Sequence, residues 1–195
     1  MSDDVKELSH IIQTEADSIL TELGLLDILR QYGKPSVQGS YSLQLMTWRD
    51  LDIDLEVESF DVSTFFALGQ QLAARLQPAK MSYRDERSGK SPHLPKGLYW
   101  GIYASLADQA WKIDIWAIDL LQFKQKEEQL RVLQKKLDAA KRSTILQLKN
   151  ELCRHPEYRK SFFSIDVYEA VFQGVASIEQ FSRWLKANRG LSYAF

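Results

Sequence analysis

The sequence predicts an α+β protein in which a mixed sheet with flanking helices is followed by a C-terminal helical bundle. Over residues 3–31 apolar side chains recur three or four positions apart, as on one face of a helix. Residues 50–58 and 98–118 instead show the alternating, β-branched and aromatic patterns of strands. After the last strand the period becomes helical again, which indicates an α+β domain at 1–119 and a helical bundle at 120–195.

The N-terminal helix is expected to be interrupted near Gly24 and to stop at the Gly33–Pro35 region. A short run, Ser36-Val37-Gln38, precedes Gly39 and Ser40. Residues 50–58 read Asp-Leu-Asp-Ile-Asp-Leu-Glu-Val-Glu, a strict period of two. This alternation predicts a strand with one apolar face and one acidic face.

Asp61 can cap a helix that ends before Pro78. The next segments are predicted as a strand at 79–84, an exposed loop at 85–97, and two strands at 98–106 and 111–118 joined as a hairpin around residues 107–109.

Four helices are predicted in the remainder of the chain. The first begins at Leu120 and the second follows Ser143. Ser164 can cap the third helix, which Gly174 can end. The segment Ser177–Gln180 has the residues of a capping box and opens the last helix.

Composition excludes several classes of protein. A chain of 195 residues with 45% hydrophobic and 26% charged residues is in the globular range, which excludes a disordered or fibrous protein. Lys and Arg total 25 against 26 Asp and Glu, so the net charge of -1 gives no basic field for duplex nucleic acid. Cys153 is the only cysteine, which excludes an internal disulfide and a cysteine-based zinc site.

The sequence contains no apolar run as long as a membrane span, and its start, Met-Ser-Asp-Asp, lacks the features of a signal peptide. We therefore expect a soluble, cytoplasmic protein without a membrane partner.

The acidic face of the 50–58 strand needs an explanation, because like charges two residues apart repel one another. A hard divalent cation such as Mg²⁺ would offset this repulsion, since it prefers a few carboxylates together with water and phosphate oxygens. The alternative is a solvated face that neighbouring Lys or Arg side chains neutralise.

Upstream of this strand, Gly39-Ser40 has the composition of a phosphate-binding turn. Glycine lets the backbone approach a phosphate closely, and the serine hydroxyl and free N–H groups are donors for its oxygens. The pair is nearly uninformative alone, but it gains meaning because only eleven residues separate Ser40 from Asp52.

Together these residues resemble the motif of the DNA polymerase β-like nucleotidyltransferase superfamily. That motif is Gly-Ser, a spacer of nine to thirteen residues, an Asp-h-Asp-h strand in which h is apolar, and a later third carboxylate. Here its parts read Val37-Gln38-Gly39-Ser40, Asp52-Ile53-Asp54-Leu55 and Ile113-Asp114-Ile115. The resemblance covers residues 35–118 and is closest to small bacterial members that modify antibiotics or other small molecules.

Two departures from the motif concern its register. Gln38 stands where an apolar residue is common, and Leu51 stands where a serine usually precedes the Asp pair. Asp50 and Asp52 would also satisfy the spacing. We prefer Asp52 and Asp54, because Asp-Ile-Asp-Leu is the commonest form of the motif.

The resemblance implies that Asp52 and Asp54 hold two Mg²⁺ ions and that Gly39 and Ser40 hold the β- and γ-phosphates of an NTP. Asp114 would complete the second metal site or accept the proton of the acceptor. On the strand of Asp114, Lys112 shares its face and can contact a phosphate or simply balance the carboxylate.

The function expected from the resemblance is Mg²⁺-dependent transfer of a nucleoside monophosphate from an NTP, such as ATP, to a hydroxyl of a small molecule, with release of pyrophosphate. The lack of an evident basic stripe argues against a polymerase. The alternatives are a catalytically inactive NTP-binding or regulatory module, for instance of toxin–antitoxin type, and a protein nucleotidyltransferase.

Two further groups of residues carry weaker signals. Cations of the 85–97 loop can reach a triphosphate or simply face solvent. The aromatic residues of the predicted hairpin can line an acceptor pocket or belong to the core. These are Tyr99, Trp100, Tyr103, Trp111 and Trp116.

Overall fold

The chain forms a five-stranded mixed sheet that helices flank and follow, which confirms the predicted α+β class. The computed structural model describes residues 2–193. The elements in chain order are α1 (Ser2–Leu20), α2 (Leu25–Arg30), β1 (Lys34–Val37), α3 (Gly39–Ser42), β2 (Asp50–Glu56), α4 (Val62–Leu76), β3 (Lys80–Asp85), β4 (Leu98–Leu106), β5 (Gln109–Ile118), α5 (Leu120–Lys136), α6 (Ala139–Leu152), α7 (Ser164–Phe172) and α8 (Ile178–Arg189).

The sheet has the strand order β1-β2-β5-β4-β3. β2 and β5 are parallel, and the other neighbours are antiparallel. The segment that contains α4, β3 and β4 provides the long connection that a parallel pair requires. The register of the parallel pair places Asp52 beside Asp114 and Asp54 beside Trp116.

The two faces of the sheet differ in polarity. Leu51 and Ile53 are almost fully buried on one face, where α1, α2 and α4 contribute to the same hydrophobic core. Because side chains alternate along a strand, Asp52 and Asp54 lie on the opposite face. The acidic face predicted from the period of two is therefore present.

A second hydrophobic core joins α6, α7 and α8. Leu43 and Leu45, from the segment between α3 and β2, are buried in this core. The C-terminal helices are thus anchored to the segment that carries α3, and α1 also contacts α6. As a result, α3 lies between the sheet and the C-terminal helices.

The predicted N-terminal interruption is confirmed at Gly24, whose φ of 68° separates α1 from α2. This left-handed backbone conformation favours glycine. Within residues 2–193, none of the helices combines the length and apolar character needed to cross a lipid bilayer.

α6 begins earlier than the predicted start after Ser143. Asp138 caps this helix, and its Oδ1 accepts a hydrogen bond from the Lys141 N–H at 2.8 Å. The first turn carries Ala139 and Ala140, which favour a helix through their propensity but create no apolar stripe. Periodicity alone therefore could not reveal this turn.

Ser164 lies inside α7 and does not cap it, contrary to the prediction. Phe163 is the N-cap residue, and its N–H donates to a carboxylate oxygen of Asp166 at 2.8 Å. The Ser164 hydroxyl instead lies 2.9 Å from the Tyr158 hydroxyl. Ser177 caps α8, as predicted.

Candidate active site

A cleft of about 750 Å³ opens on the acidic face of the sheet. Asp52 and Asp54 of β2 line it together with Gly39 and Ser40 of α3. Side chains of α5 and α7 form further walls, and the loop residues 92–95 contribute at one side. The cleft therefore lies where the sheet, α3 and the C-terminal helices meet.

Gly39 packs directly against Asp52. Its φ is 62°, and a Cβ atom added to it would lie 2.5 Å from Oδ2 of Asp52. The preceding N–H, that of Gln38, donates to the Asp52 carbonyl oxygen at 2.7 Å. A glycine is thus required both by the left-handed backbone and by the close approach to the carboxylate.

Ser40 connects the turn to the C-terminal helices. The ammonium group of Lys149, on α6, donates to Ser40 Oγ at 2.7 Å and to the Leu45 carbonyl oxygen at 2.5 Å. The Tyr168 hydroxyl, on α7, lies 3.2 Å from the same serine oxygen. The hydroxyl of Ser40 is therefore hydrogen-bonded to polar groups of two helices that lie more than 100 positions away in the sequence.

Lys149 is fully buried, with 0% of its surface exposed. Its Nζ lies 4.4 Å from the centre of the Trp48 ring, and none of the ion pairs within residues 2–193 involves it. Burial lowers the pKa of Lys149 to about 7, although Asp52 and Asp50 favour its charged form at longer range. A buried ammonium group without a carboxylate partner is costly and favours an anion nearby.

Asp52 is the most exposed residue of β2, and its carboxylate opens into the cleft. Within the described residues it takes part in no ion pair. The surrounding protein shields the carboxylate from bulk water, and this desolvation is the main cause that raises the pKa of Asp52 to about 7. Repulsion from Asp50 and Asp114 adds to the same shift. The fold thus leaves a negative charge at the floor of the cleft incompletely compensated.

Asp54 is buried beside it, with a side chain only 2% exposed. Oδ1 accepts a hydrogen bond from the ammonium group of Lys126, on α5, at 2.5 Å. Oδ2 is buried and has no hydrogen-bond partner. Burial raises the pKa of Asp54, and the pairing with Lys126 only partly offsets this effect.

Asp114 is held by two neighbours. Tyr99 donates its hydroxyl hydrogen to Oδ1 at 2.6 Å, and Lys112 bonds to Oδ2. Burial opposes the charge on Lys112, but Asp50 and Asp114 outweigh it and raise the pKa of the lysine. Both oxygen atoms of Asp114 are therefore engaged.

Asp50, at the start of β2, belongs to the same network. Arg159 Nη2 lies 2.7 Å from its Oδ2, and Lys112 Nζ lies 3.7 Å from its Oδ1. The side chain does not line the cleft. Neighbouring cations thus neutralise part of the acidic face, as in the alternative explanation of the sequence pattern, whereas Asp52 keeps no such partner.

Asp52 and Asp54 fit a hard divalent cation better than Asp114 does. Asp52 has both oxygens free of ion pairs, and Asp54 has one unpartnered oxygen. The adjoining cleft leaves room for water and phosphate oxygens, which Mg²⁺ prefers as further ligands. In the described part of the chain, however, no three Asp, Glu, His or Cys side chains are grouped as a ready metal site.

The sequence-predicted residues are thus divided between two places. Gly39, Ser40, Asp52 and Asp54 line the cleft. Asp114 and Lys112 lie on the adjacent strand outside the cleft lining, and Asp114 is the register partner of Asp52.

Of the loop and hairpin residues with weaker sequence signals, some line the cleft and others do not. His93, from the loop, lines the cleft, whereas Arg87 pairs with Asp85. Among the hairpin aromatics, Trp116 lines the cleft, while Trp100 and Trp111 are buried in the first core.

The residues that sequence reasoning missed come from the C-terminal helices. The sequence gave no sign that Lys149 and Tyr168 belong to the site. In a helical pattern a lysine is read as a surface residue and a tyrosine as a core residue. Lys126 belongs to a recurring set on α5 whose spacing is helical and whose members all face the cleft. These residues are Gln122, Gln125, Lys126, Gln129, Leu130 and Leu133.

Comparison with known proteins supports the fold. No protein-family model and no curated protein sequence matches the chain. One similar solved structure is described as "Structural Basis for the Activity of a Cytoplasmic RNA Terminal U-transferase", with a TM-score of 0.53 and 13% identity. The match covers 87% of this chain and 53% of that one, so the chain spans about half the length of the solved protein. The likeness indicates a nucleotidyltransferase-like fold.

Proposed function

We propose that the protein is a Mg²⁺-dependent nucleotidyltransferase that moves a nucleoside monophosphate from an NTP to a hydroxyl group of a small molecule. The observation that carries this proposal is the contact of the Gly39 turn with Asp52 at the floor of a large cleft. The likeness of the fold to a terminal U-transferase structure supports transfer of nucleotidyl groups in general.

The triphosphate would bind at the Ser40 end of the cleft. Ser40 and the backbone after Gly39 offer donors, and Lys149 supplies a buried positive charge 2.7 Å from the serine oxygen. Charge-assisted hydrogen bonds to phosphate are stronger than neutral ones. Binding of the β- and γ-phosphates would also give Lys149 the anion that the free protein lacks.

Asp52 and Asp54 would hold the metal ions. Bound Mg²⁺ would offset negative charge on the phosphoryl oxygens during transfer. Lys126 donates a hydrogen bond to Asp54 and places a further positive charge on the α5 side of the cleft. Asp114 would either become a ligand of a second ion, which requires Lys112 to turn away from it, or act as the base of the transfer step.

In the transfer step, the acceptor oxygen forms a bond to the α-phosphorus. The bond between that phosphorus and the α,β-bridging oxygen breaks, and pyrophosphate leaves with the electron pair. The acceptor proton passes to a carboxylate, for which Asp114 is the proposed base. Tyr99 and Lys112 fix the orientation of this carboxylate.

Substitution of the two cleft carboxylates tests the proposal. Asp52→Asn and Asp54→Asn should each abolish NTP-dependent transfer, measured as pyrophosphate release and as the mass of the product, and should keep the circular dichroism spectrum of the wild type. Asp108→Asn is the matched control, because Asp108 is exposed in the β4–β5 turn. Full turnover by both cleft variants would reject the site.

A second candidate function is NTP binding without catalysis, in a regulatory module. Two of the three carboxylates in the motif, Asp54 and Asp114, are paired with ammonium groups. These pairs favour the second candidate, because they occupy oxygens that a catalytic metal would need. Pyrophosphate release with any acceptor would exclude it. Mg²⁺-NTP binding without turnover across a broad set of acceptors would support it instead.

A further inference from the structure

The polar face of the sheet continues beyond Asp114 onto β4 and β3. The strand register aligns Trp116, Tyr99 and Arg84 in one row across β5, β4 and β3, and Asp54 extends that row into the cleft. We call the surface formed by Trp116, Tyr99, Tyr103, Lys80 and Arg84 the outer floor.

The outer floor is continuous with the cleft. Trp116 lines the cleft, and its ring lies 4.7 Å from that of Tyr99, measured between centroids. Tyr99 in turn donates its hydroxyl hydrogen to Asp114. The burial of Tyr99 and its bond to Asp114 raise the pKa of the phenol, which keeps the hydroxyl a donor. A molecule on this surface would therefore reach the carboxylates from the side opposite Ser40.

The outer edge of this floor is cationic and open to solvent. Lys80 and Arg84 are both exposed, and within residues 2–193 neither forms an ion pair. Lys80 Nζ lies 5.2 Å from the centre of the Tyr103 ring, and the Arg84 guanidinium lies 5.9 Å from that of Tyr99. Tyr103 itself is 37% exposed. The surface thus offers free cations, then aromatic rings, and then carboxylates.

The sequence of cations, aromatic rings and carboxylates across the outer floor favours one kind of acceptor. This inference rests on the proposed nucleotidyl transfer. We propose that the outer floor binds the acceptor, and that the acceptor is a small phosphate ester with a planar ring, of the mononucleotide class. Arg84, in the row of Tyr99 and Trp116, would hold its phosphate, and Lys80 would add positive charge at the same edge of the sheet. The aromatic rings would support its planar ring, and a hydroxyl would face Asp114.

The dimensions and the charge count agree with one small molecule. β3 and β5 are two strand spacings apart, about 10 Å, which is on the scale of a single nucleotide. The two unpaired cations lie four positions apart on β3, which is too few for the longer series of phosphate contacts from which an oligonucleotide draws its affinity. Polycationic acceptors such as aminoglycosides would be repelled by the same two side chains.

Direct binding tests the phosphate contact. Wild type is first saturated with Mg²⁺ and a non-hydrolysable NTP analogue, and each ribonucleoside 5′-monophosphate and its nucleoside are then titrated by calorimetry. At least one monophosphate should bind about tenfold or more tightly than its nucleoside. The Lys80→Gln/Arg84→Gln double variant should lose this preference and keep the affinity for the analogue. The matched control is Arg183→Gln/Lys186→Gln on exposed positions of α8, which should behave as wild type.

A second variant pair tests the ring contact. Tyr103→Leu should weaken monophosphate binding about threefold to tenfold, whereas Tyr103→Phe should retain it, since phenylalanine keeps the aromatic ring on which a base can stack. Equal binding of nucleosides and monophosphates, unchanged affinity in the double variant, or preference for an oligonucleotide would overturn the inference.

Failure of the proposed function has a different signature. The NTP analogue would then fail to bind, or Asp52→Asn would retain transfer. The monophosphate titrations on the free protein would still report on Lys80 and Arg84, because they measure binding and need no turnover.

Discussion

Two single residues, Asp52 in the cleft and Lys149 buried behind Ser40, are ionisable groups that the fold compensates only in part. Asp52 faces the cleft without an ion pair, and Lys149 is fully buried beside Ser40. Neither arrangement contributes to the stability of the free protein. Both would become favourable if a cation and a polyphosphate bound between them, and this is the physical basis of the proposed site.

The pKa of Asp52 leads to a prediction for stability against pH. The carboxyl has a pKa of about 7 in the folded protein and 3.8 in the reference state, so the folded state holds its proton more tightly between these values. The Asp52 contribution to the free energy of unfolding therefore falls as pH rises from about 4 to 7. In EDTA, Asp52→Asn should be more stable than wild type at pH 8 and similar to it at pH 4.

Urea unfolding at the two pH values measures this difference, and Asp108→Asn serves as the exposed control. An Asp52→Asn variant that is less stable than wild type at pH 8 would contradict the uncompensated charge.

Lys149 gives a prediction that separates stability from binding. Lys149→Met removes a buried ammonium group that has no carboxylate partner, but it also removes the hydrogen bonds to Ser40 and to the Leu45 carbonyl oxygen, so the melting temperature should change little. The affinity for Mg²⁺-NTP should fall at least about tenfold, because the positive charge beside the Ser40 hydroxyl is lost. Thermal unfolding and calorimetric titration of the same preparation measure both. A lower melting temperature with unchanged NTP affinity would assign Lys149 a purely structural role.

At the scale of elements, the motif depends on how α3 meets β2. The sequence pattern predicted β2 and its acidic face, because a period of two is a local property of the chain. It also placed Gly39 and Ser40 near the strand through the resemblance. The contacts of Ser40 with α6 and α7 could not be predicted, because they depend on packing between segments far apart in the sequence.

Gly39 can be tested with a glycine control that the chain itself provides. Gly39→Ala should lower stability by about 1 kcal/mol for its left-handed backbone and, in addition, displace Asp52, so transfer should fall at least about tenfold. Gly24 has a similar φ of 68°, but a Cβ there would meet no atom within 4 Å. Gly24→Ala should therefore show the same loss of stability with normal activity, as measured by urea unfolding and pyrophosphate release. Equal activity of the two variants would contradict a role of the Gly39 turn in transfer.

At the scale of the whole molecule, the cleft draws on both halves of the chain. Asp52 and Gly39 come from the sheet region, whereas Lys126 and Tyr168 come from the C-terminal helices, as does Lys149, which is buried behind Ser40. Leu43 and Leu45 tie the two together, because they precede β2 and are buried in the core of the C-terminal helices.

The fold class could be read from the sequence, since the order of helical and strand periods is a local signal that survives tertiary packing. The pairing of β2 with β5 was not part of that signal, yet it decides which carboxylates are neighbours. The sequence also did not predict which cations pair with the carboxylates of β2. Lys112 could be placed on the correct face. The partner of Asp54, Lys126, comes from α5, and the partner of Asp50, Arg159, comes from the connection between α6 and α7.

Thermal unfolding with and without ligands tests the central claim most directly. Wild type and Asp54→Asn are melted with each NTP, in Mg²⁺ and in EDTA. At about 100 times the Kd, an NTP should add about 2.7 kcal/mol of stability, and each kcal/mol raises the melting temperature of a chain of this size by about 2 to 4 °C. We expect a shift that requires Mg²⁺ and is lost in Asp54→Asn. No shift with any NTP, or equal shifts in EDTA and in Asp54→Asn, would contradict it.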